Sequence, residues 1–233
     1  TITASKQHEA QFANADVLFD WTSFQVPRGA SKLLSATALV RPKGDAGPTG
    51  NPFPFQLIFS KSNTQSIGTI NGATINRPSN DFIGSLEFTA SDYQTPSIDS
   101  TQIASVVTGG ANPAGPLVLQ GDITTGDNVG FDTLYVAAMC QATSMDFESI
   151  IVVADADIAS AAHTTITTGG SSIDNREHFL PGDVIHAQDD AVVGTLDSVA
   201  ESAITLTSEL GTSVLTNGDT LYNIHPILSL IHI

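Results

Sequence analysis

The chain has 233 residues, of which 41% are hydrophobic, so it can bury a sizeable core. Charged residues make up only 14%, and 24 acidic residues face 8 basic ones, for a net charge of −16. This balance argues against binding to nucleic acid or to an anionic membrane surface, because both depend on clustered Lys and Arg. No apolar run approaches the roughly 20 residues that a membrane-spanning helix needs.

The first two thirds of the chain predict one β-rich domain, residues 1–157. Short apolar runs, several of which alternate with polar residues, are separated by clusters of Gly, Pro, Asn and Asp, as is typical of antiparallel strands joined by loops. The predicted strands are residues 17–21, 32–41, 55–59, 82–88, 117–119, 133–138 and 149–153. Roughly seven or eight strands in a domain of this length predict a two-sheet β-sandwich with jelly-roll-like character.

The second of these strands has the clearest alternation. Its positions Leu34, Ala36, Ala38 and Val40 are all apolar, so we expect them to face the core together. Trp21, in an apolar run, is also expected to pack in the core.

Helical signal is thin in this domain. Residues 91–94 and 100–107 can each form a helical turn or two. Residues 12–18 fit either the start of a short helix or an edge strand. The glycines of residues 44–50 fall three apart, but three repeats cannot sustain a collagen helix, so an exposed loop is expected.

A run of small residues follows, and we place a linker at residues 158–172, although residues 164–168 also fit a short strand. The second domain, residues 173–233, shows four short strands about ten residues apart and predicts a small β-barrel with an apolar C-terminal tail. Tyr222 is expected to close its core. The tail, residues 224–233, is expected to form a last barrel strand or to dock on another subunit, since a free apolar end promotes aggregation.

Nothing in the sequence predicts catalysis or cofactor binding. Cys140, the only cysteine, lies in an apolar run and is expected to be a buried hydrophobe, because a nucleophile needs a neighbour that lowers its pKa. No Gly-x-Ser-x-Gly elbow, P-loop or dinucleotide-binding turn is present. We therefore predict no catalytic residue, no cofactor and no enzyme.

No metal site is predicted either. His8 and Glu9 begin like a zinc-protease helix, but Phe12 stands where the second His belongs. His225 and His232 are near one another in the tail, which is weak spacing for zinc.

Calcium bound by surface carboxylates stays an open alternative in so acidic a chain. Asp155 and Asp157 begin like a calcium loop, yet Ile158 follows where an oxygen ligand is required. Asp189 and Asp190 are interpreted as a solvated turn.

Four segments of the second domain carry a recurring pattern: Pro181-Gly-Asp-Val-Ile, Val193-Gly-Thr-Leu-Asp-Ser-Val, Ile204-Thr-Leu-Thr and Asn217-Gly-Asp-Thr-Leu-Tyr. The pattern resembles a module of virion structural proteins of tailed phages, especially marine ones. The likeness covers about 45 of the 233 residues. The first domain, with its low charge and Ser/Thr-rich strands, looks like a capsid decoration (cement) protein, although no diagnostic motif lies within it.

The resemblance implies a structural protein on the capsid surface of the virion that bridges capsomers. Its implied partners are the major capsid protein and copies of itself, often as a homotrimer, and it implies no catalytic residues. The alternatives are a neck, tail or fibre component, a secreted adhesin or carbohydrate-binding β-module, and a jelly-roll hydrolase whose site a single sequence hides. Three segments without an obvious core role, residues 1–14, 44–54 and 225–233, are candidates for contact with a neighbouring subunit.

Overall fold

The computed structural model describes residues 1–9, 11–41, 52–75, 78–94, 101–108, 116–120, 130–155, 158, 163–169, 173–210 and 215–232. The regular structure is nearly all β, as the sequence predicts. Two short α-helices are present in this part of the chain, α1 (Ala4–His8) and α2 (Asn175–His178), together with a 3-10 helix at Ala90–Asp92. The loop predicted around residues 44–50 lies outside the described residues.

Strands make up most of the regular structure of the described residues. In chain order, the first nine are β1 (Val17–Pro27), β2 (Ser31–Lys32), β3 (Ser35–Val40), β4 (Phe55–Ser60), β5 (Phe82–Phe88), β6 (Tyr93–Gln94), β7 (Gln102–Val107), β8 (Val118–Leu119) and β9 (Phe131–Cys140). The next seven are β10 (Val152–Val153), β11 (Thr165–Gly169), β12 (Val184–Ala187), β13 (Val192–Ala200), β14 (Ala203–Leu206), β15 (Leu221–Asn223) and β16 (Ile227–His232).

Two four-stranded antiparallel sheets form the predicted sandwich. One has the order β1-β9-β4-β5 and the other β16-β3-β7-β6. Their facing apolar side chains form one core, in which Phe55 and Phe88 stack with ring centroids 4.7 Å apart. The alternation of apolar residues is what builds this core, because side chains of a strand point to opposite faces in turn.

The alternation predicted for β3 holds only in part. Ala36, Ala38 and Val40 are buried as expected, but Leu34 is 56% exposed, whereas Leu33 is fully buried. The reason is a break in the strand: β2 pairs with β8, whereas β3 pairs with β7 and β16, so the face of the sequence changes between residues 32 and 35.

The helical interpretation of residues 100–107 is wrong, since most of this stretch is strand β7. Gln102 and Ala104 face the core while Ser105 and Val107 are exposed, and the strand pairs with β3 over its whole length. Ile and Val, which are stiff at χ1, favour this extended form. Residues 91–94 combine the end of the 3-10 helix with strand β6, and the first helix lies at Ala4–His8 rather than within residues 12–18.

The C-terminal strands form the predicted barrel. Its sheet has the order β10-β11-β14-β13-β12-β15. A bridge between Val152 and Thr220 and a hydrogen bond from Leu221 N to Ile151 O bring the two outer strands together and nearly close the sheet. Gly182 and Gly218 form the predicted Gly-Asp turns at φ +91° and +92°, where a side chain would be strained.

The two core clusters divide near residue 150, so β10 belongs to the barrel although it lies in the range predicted for the first domain. The stretch 158–172, expected to be a linker, contains barrel strand β11. That each domain folds alone stays a prediction.

The apolar tail is the largest correction. It forms neither a barrel strand nor a free docking segment. Instead, β16 pairs along its full length with β3 and is an edge strand of the sandwich. Pairing with β16 gives β3 a hydrogen-bonded neighbour on both sides and places apolar Ile227 against the sandwich core.

Candidate functional site

The sandwich and the barrel meet at a largely buried polar junction centred on Asp183. Arg41, directly after β3, donates from Nη1 to Asp183 Oδ2 at 2.8 Å and from Nη2 to Oδ1 at 3.3 Å. Asn223 Nδ2 and the backbone N–H of Leu180 donate to the same carboxylate at 2.7 and 2.9 Å. One Asp therefore closes the Pro-Gly-Asp turn, holds β15 and binds the other module.

The backbone reinforces this junction where the chain passes from barrel to sandwich. Arg41 N donates to Pro226 O at 2.9 Å, and His225 N donates to Asn223 Oδ1 at 2.8 Å. Partial desolvation of the His225 ring lowers its pKa below the ordinary value, and nearby positive groups, Arg41 among them, act in the same direction.

Helix α1, near the N-terminus, packs against the barrel, which is formed by the C-terminal part of the chain. The carboxylate of Asp190 accepts hydrogen bonds from Ser5 N at 2.8 Å and Ser5 Oγ at 2.6 Å, so it caps the first turn of the helix. Buried Gln7 donates from Nε2 to Ile2 O and Asn223 O. Asp190, interpreted from the sequence as part of a solvated turn, is thus a contact between segments 185 residues apart.

Tyr222 is fully buried, but it does not close the barrel core as expected. Its neighbour Leu221 points into that core, and the alternation of β15 turns Tyr222 outwards, where its OH lies 2.9 Å from His8 Nδ1. Burial raises the Tyr222 pKa, and the nearby carboxylate of Glu148 acts in the same direction. The sequence pattern misses this role because helix α1 is 214 residues away in the chain.

An apolar cleft of about 240 Å³ opens between the edge strands of the two sandwich sheets. Phe19 and Phe24 of β1, Phe55 of β4, Val136 of β9 and Ile227 of β16 line it. The exposed residues Thr1, Thr22 and Ser23 also line it, so the cleft is apolar within and has polar residues where the chain meets solvent.

Cys140 and Trp21, which the sequence singles out individually, lie in different parts of the sandwich and form no common site. Cys140 is fully buried; its Sγ lies 3.5 Å from Ala142 O, and burial raises the pKa of its thiol. Trp21 is only half buried: it packs on a small cluster with Ile67 and donates from Nε1 to Gln65 O.

The acidic residues considered for calcium have protein partners in the described chain. The Asp155 carboxylate accepts from Thr167 N at 2.6 Å, and that of Asp189 accepts from Ala191 N at 3.0 Å. Asp157 lies outside the described residues. Within the ranges that the structure describes, no group of three or more His, Cys, Asp or Glu side chains is placed to hold a metal ion.

No helix among the described residues has the length and apolar character to cross a bilayer.

Fold and junction together define a class: an all-β protein in which a two-sheet sandwich and a small barrel are joined by a buried polar contact. No protein-family model, curated protein or solved structure matches the chain.

Proposed function

We propose that this protein is a capsid decoration protein of a tailed phage, which bridges capsomers on the virion surface. Its partners in this proposal are the major capsid protein and further copies of itself, as a homotrimer. It works by contact alone, because a bridge between capsomers needs a rigid shape and complementary surfaces and no chemistry.

One observation carries the proposal. The four segments that resemble the phage virion module lie on consecutive barrel strands β12, β13, β14 and β15, in one continuous part of the sheet. The resemblance thus covers four adjacent strands of the six-stranded barrel sheet rather than scattered positions. The Asp183 of its first segment is also the residue that binds the sandwich through Arg41.

The construction of the junction suits such a role. A protein that links neighbouring capsomers transmits force only if its two modules keep a fixed relation. Contacts at Asp183, at helix α1 and along β16 tie the modules together at three places. Few exposed charges and many Ser and Thr side chains favour broad contact with a protein lattice over strong ion pairs.

The test is to add the purified protein to expanded phage shells that lack it, with unexpanded shells as the control. We expect regular extra density on the expanded shells in electron micrographs and saturable binding. Antibody labelling of whole virions is expected on the head. Label confined to the neck, tail or fibres would support the neighbouring structural alternative, and shells that stay bare would overturn the proposal.

A further inference from the structure

Exposed apolar side chains lie near the end of β3 opposite the one that adjoins the barrel. The Val40 end of β3 pairs with Ile227, just after the barrel, so the Ser35 end lies roughly 17 Å away at about 3.3 Å per residue. There Ser35 pairs with Val107, which is 68% exposed, and Leu34 O accepts from Thr108 N.

Two more exposed residues extend this surface. Val118 lies opposite Lys32 on the neighbouring strand β2. Phe131 lies opposite Pro27, and a hydrogen bond from Ser31 Oγ to Pro27 O links the end of β1 to β2. We call Leu34, Val107, Val118 and Phe131 the distal patch; each is about half exposed or more. Apolar side chains grouped in this way mark an interaction site more often than single ones do.

Among the residues that the structure describes, two exposed basic side chains lie beside the distal patch, against the trend of the chain. Arg28, whose N–H donates to Gly130 O, and Lys32 are both exposed there. Asp132, which follows Phe131, is nearly buried. In a chain with 8 basic and 24 acidic residues, two exposed cations around an apolar surface favour an acidic partner.

The barrel offers a surface of the opposite character. Val184 and Val192 project outwards from the hairpin of β12 and β13, because Ile185 and Val193 fill the core, and Leu180 is exposed in the preceding turn. We call Leu180, Val184 and Val192 the barrel patch.

Two exposed acidic side chains lie on the hairpin that carries the barrel patch. Asp189 lies in the hairpin turn and Asp197 on β13, and both are exposed. Residues 161–233 as a whole hold nine acidic residues and one basic residue, Arg176.

We propose that the distal patch of one copy binds the barrel patch of a second copy, head to tail. The apolar residues would form the centre of the contact, and Arg28 and Lys32 would face the barrel's carboxylates at its rim. The two patches are different surfaces, one on the sandwich and one on the barrel, so the contact is heterologous, and its repetition closes a ring or extends a chain. The proposal specifies which surfaces form the self-association that the proposed function assumes, and to that extent it rests on the proposed function. Its test uses the isolated protein.

The experiment measures mass against concentration by sedimentation equilibrium, for the full chain and two aspartate variants. We expect the mass to rise above the 24.3 kDa monomer. Raising NaCl from about 0.05 to about 0.5 M is expected to weaken association several-fold, because salt screens exposed charges. Val107→Asp and Val192→Asp should each weaken it about tenfold or more, since each puts a charge in the apolar centre. Thr64→Asp and Thr165→Asp, at exposed sites that are part of neither patch, are the matched controls.

Mixing the two variants gives the sharpest result. The intact barrel patch of Val107→Asp can bind the intact distal patch of Val192→Asp, so an equal mixture should form dimers and nothing larger. If an aspartate variant loses its β-sheet circular dichroism, Val107→Thr and Val192→Thr replace it and should weaken association about threefold. Three outcomes would each overturn the proposal. The wild-type protein could stay monomeric to about 1 mM, only one of the two substitutions could weaken association, or the mixture could stay monomeric. Shell binding plays no part in these outcomes.

Discussion

Asp183 shows how much one side chain can contribute when its environment changes. In the sequence it is the third residue of a Pro-Gly-Asp turn, and its expected role is local. In the structure its carboxylate accepts from Leu180 N, Asn223 Nδ2 and the Arg41 guanidinium. A largely buried carboxylate is stable only with such partners, and removing it leaves a buried cation without its counter-charge.

Asp183→Ala is therefore expected to lower the free energy of unfolding by about 3 kcal/mol or more. Urea unfolding followed by circular dichroism measures the change. The matched control is Asp197→Ala, an exposed acid on β13, for which we expect a change within about 0.5 kcal/mol. Equal effects of the two substitutions would show that the junction contributes little.

Cys140 lies in the sandwich core, which confirms the expectation of a buried hydrophobe. Because burial raises its pKa and shields its sulfur, the native thiol should resist alkylation by iodoacetamide at pH 8 and react fully in urea. Mass spectrometry reads out both states. Cys140→Ala should preserve shell binding at a cost of about 1 kcal/mol in stability. Rapid labelling of the native protein would contradict this assignment.

His225 makes stability depend on pH in one direction. Its pKa is lower in the folded protein than the ordinary value of 6.5, so the unfolded chain binds the proton more readily. Its contribution is fully present above pH 6.5 and is lost as pH falls below that value. We expect His225→Gln to reduce the loss of stability between pH 6.5 and 5, measured by urea titrations at each pH. His163→Gln, at an exposed position, is the control, and parallel pH profiles for His225→Gln and wild type would refute the prediction.

Strand β16 reverses the expectation drawn from the tail. The sequence indicates a segment available for another subunit, whose deletion would spare the first domain. The structure instead makes it one of four strands in a sandwich sheet, paired with β3 at six positions. Without it, β3 becomes an unprotected edge and part of the core near Ile227 opens to water.

A chain that ends at Pro226 should therefore lose several kcal/mol of stability in the sandwich, as expected for loss of a packed strand. Hydrogen exchange resolves the effect by location: the amides of β3 should lose protection, whereas those of β13 and β14 in the barrel should keep it. A synthetic peptide of residues 225–233 added in trans should restore protection. Unchanged exchange in β3 after truncation would contradict the pairing.

The sequence interpretation is accurate where a structure depends on contacts between residues close in sequence, and it fails where the contacts join residues far apart in sequence. Barrel strands β12 to β15 and their turns are encoded locally, by alternation and by Gly182 and Gly218 in the turns, so the sequence predicts them well, whereas β10 and β11 fall in the ranges predicted for the first domain and the linker. Strand β7 escapes such reasoning because Gln102 and Ala104, rather than large apolar residues, face the core. Leu34 is misplaced because the change of face at residues 33–34 depends on pairing with β8, which lies some 85 residues away.

The junction could not be predicted at all, for the same reason. Arg41 and Asp183 are 142 residues apart, and Ser5 and Asp190 are 185 apart. No local pattern distinguishes a carboxylate that caps a distant helix from one in a solvated turn. An Arg that follows a buried strand in a chain poor in cations is the one signal that points towards an internal partner.

The two ends of the chain each pack on the module to which they do not belong in sequence. Ile2 N donates to Ile224 O and Gln7 to Asn223 O on the barrel, whereas β16 completes the sandwich. Unfolding of the barrel would break the hydrogen bonds that the N-terminal segment makes with it and would remove the support of β16. Unfolding of the sandwich would leave β16 without its partner strand β3. The modules are therefore coupled, although they have separate cores.

We accordingly expect the wild-type protein to unfold in a single calorimetric transition, with equal calorimetric and van't Hoff enthalpies. Weakening the junction at two points, with Asp183→Ala and Gln7→Ala together, should remove the Arg41 contact and the Asn223 contact and divide the transition into two. Asp197→Ala combined with Thr165→Ala changes two exposed barrel residues and should keep one transition. Two well-separated transitions in the wild type would mean that the modules are independent, and the rigid bridge on which the proposed function depends would then have to be assembled by its partners instead.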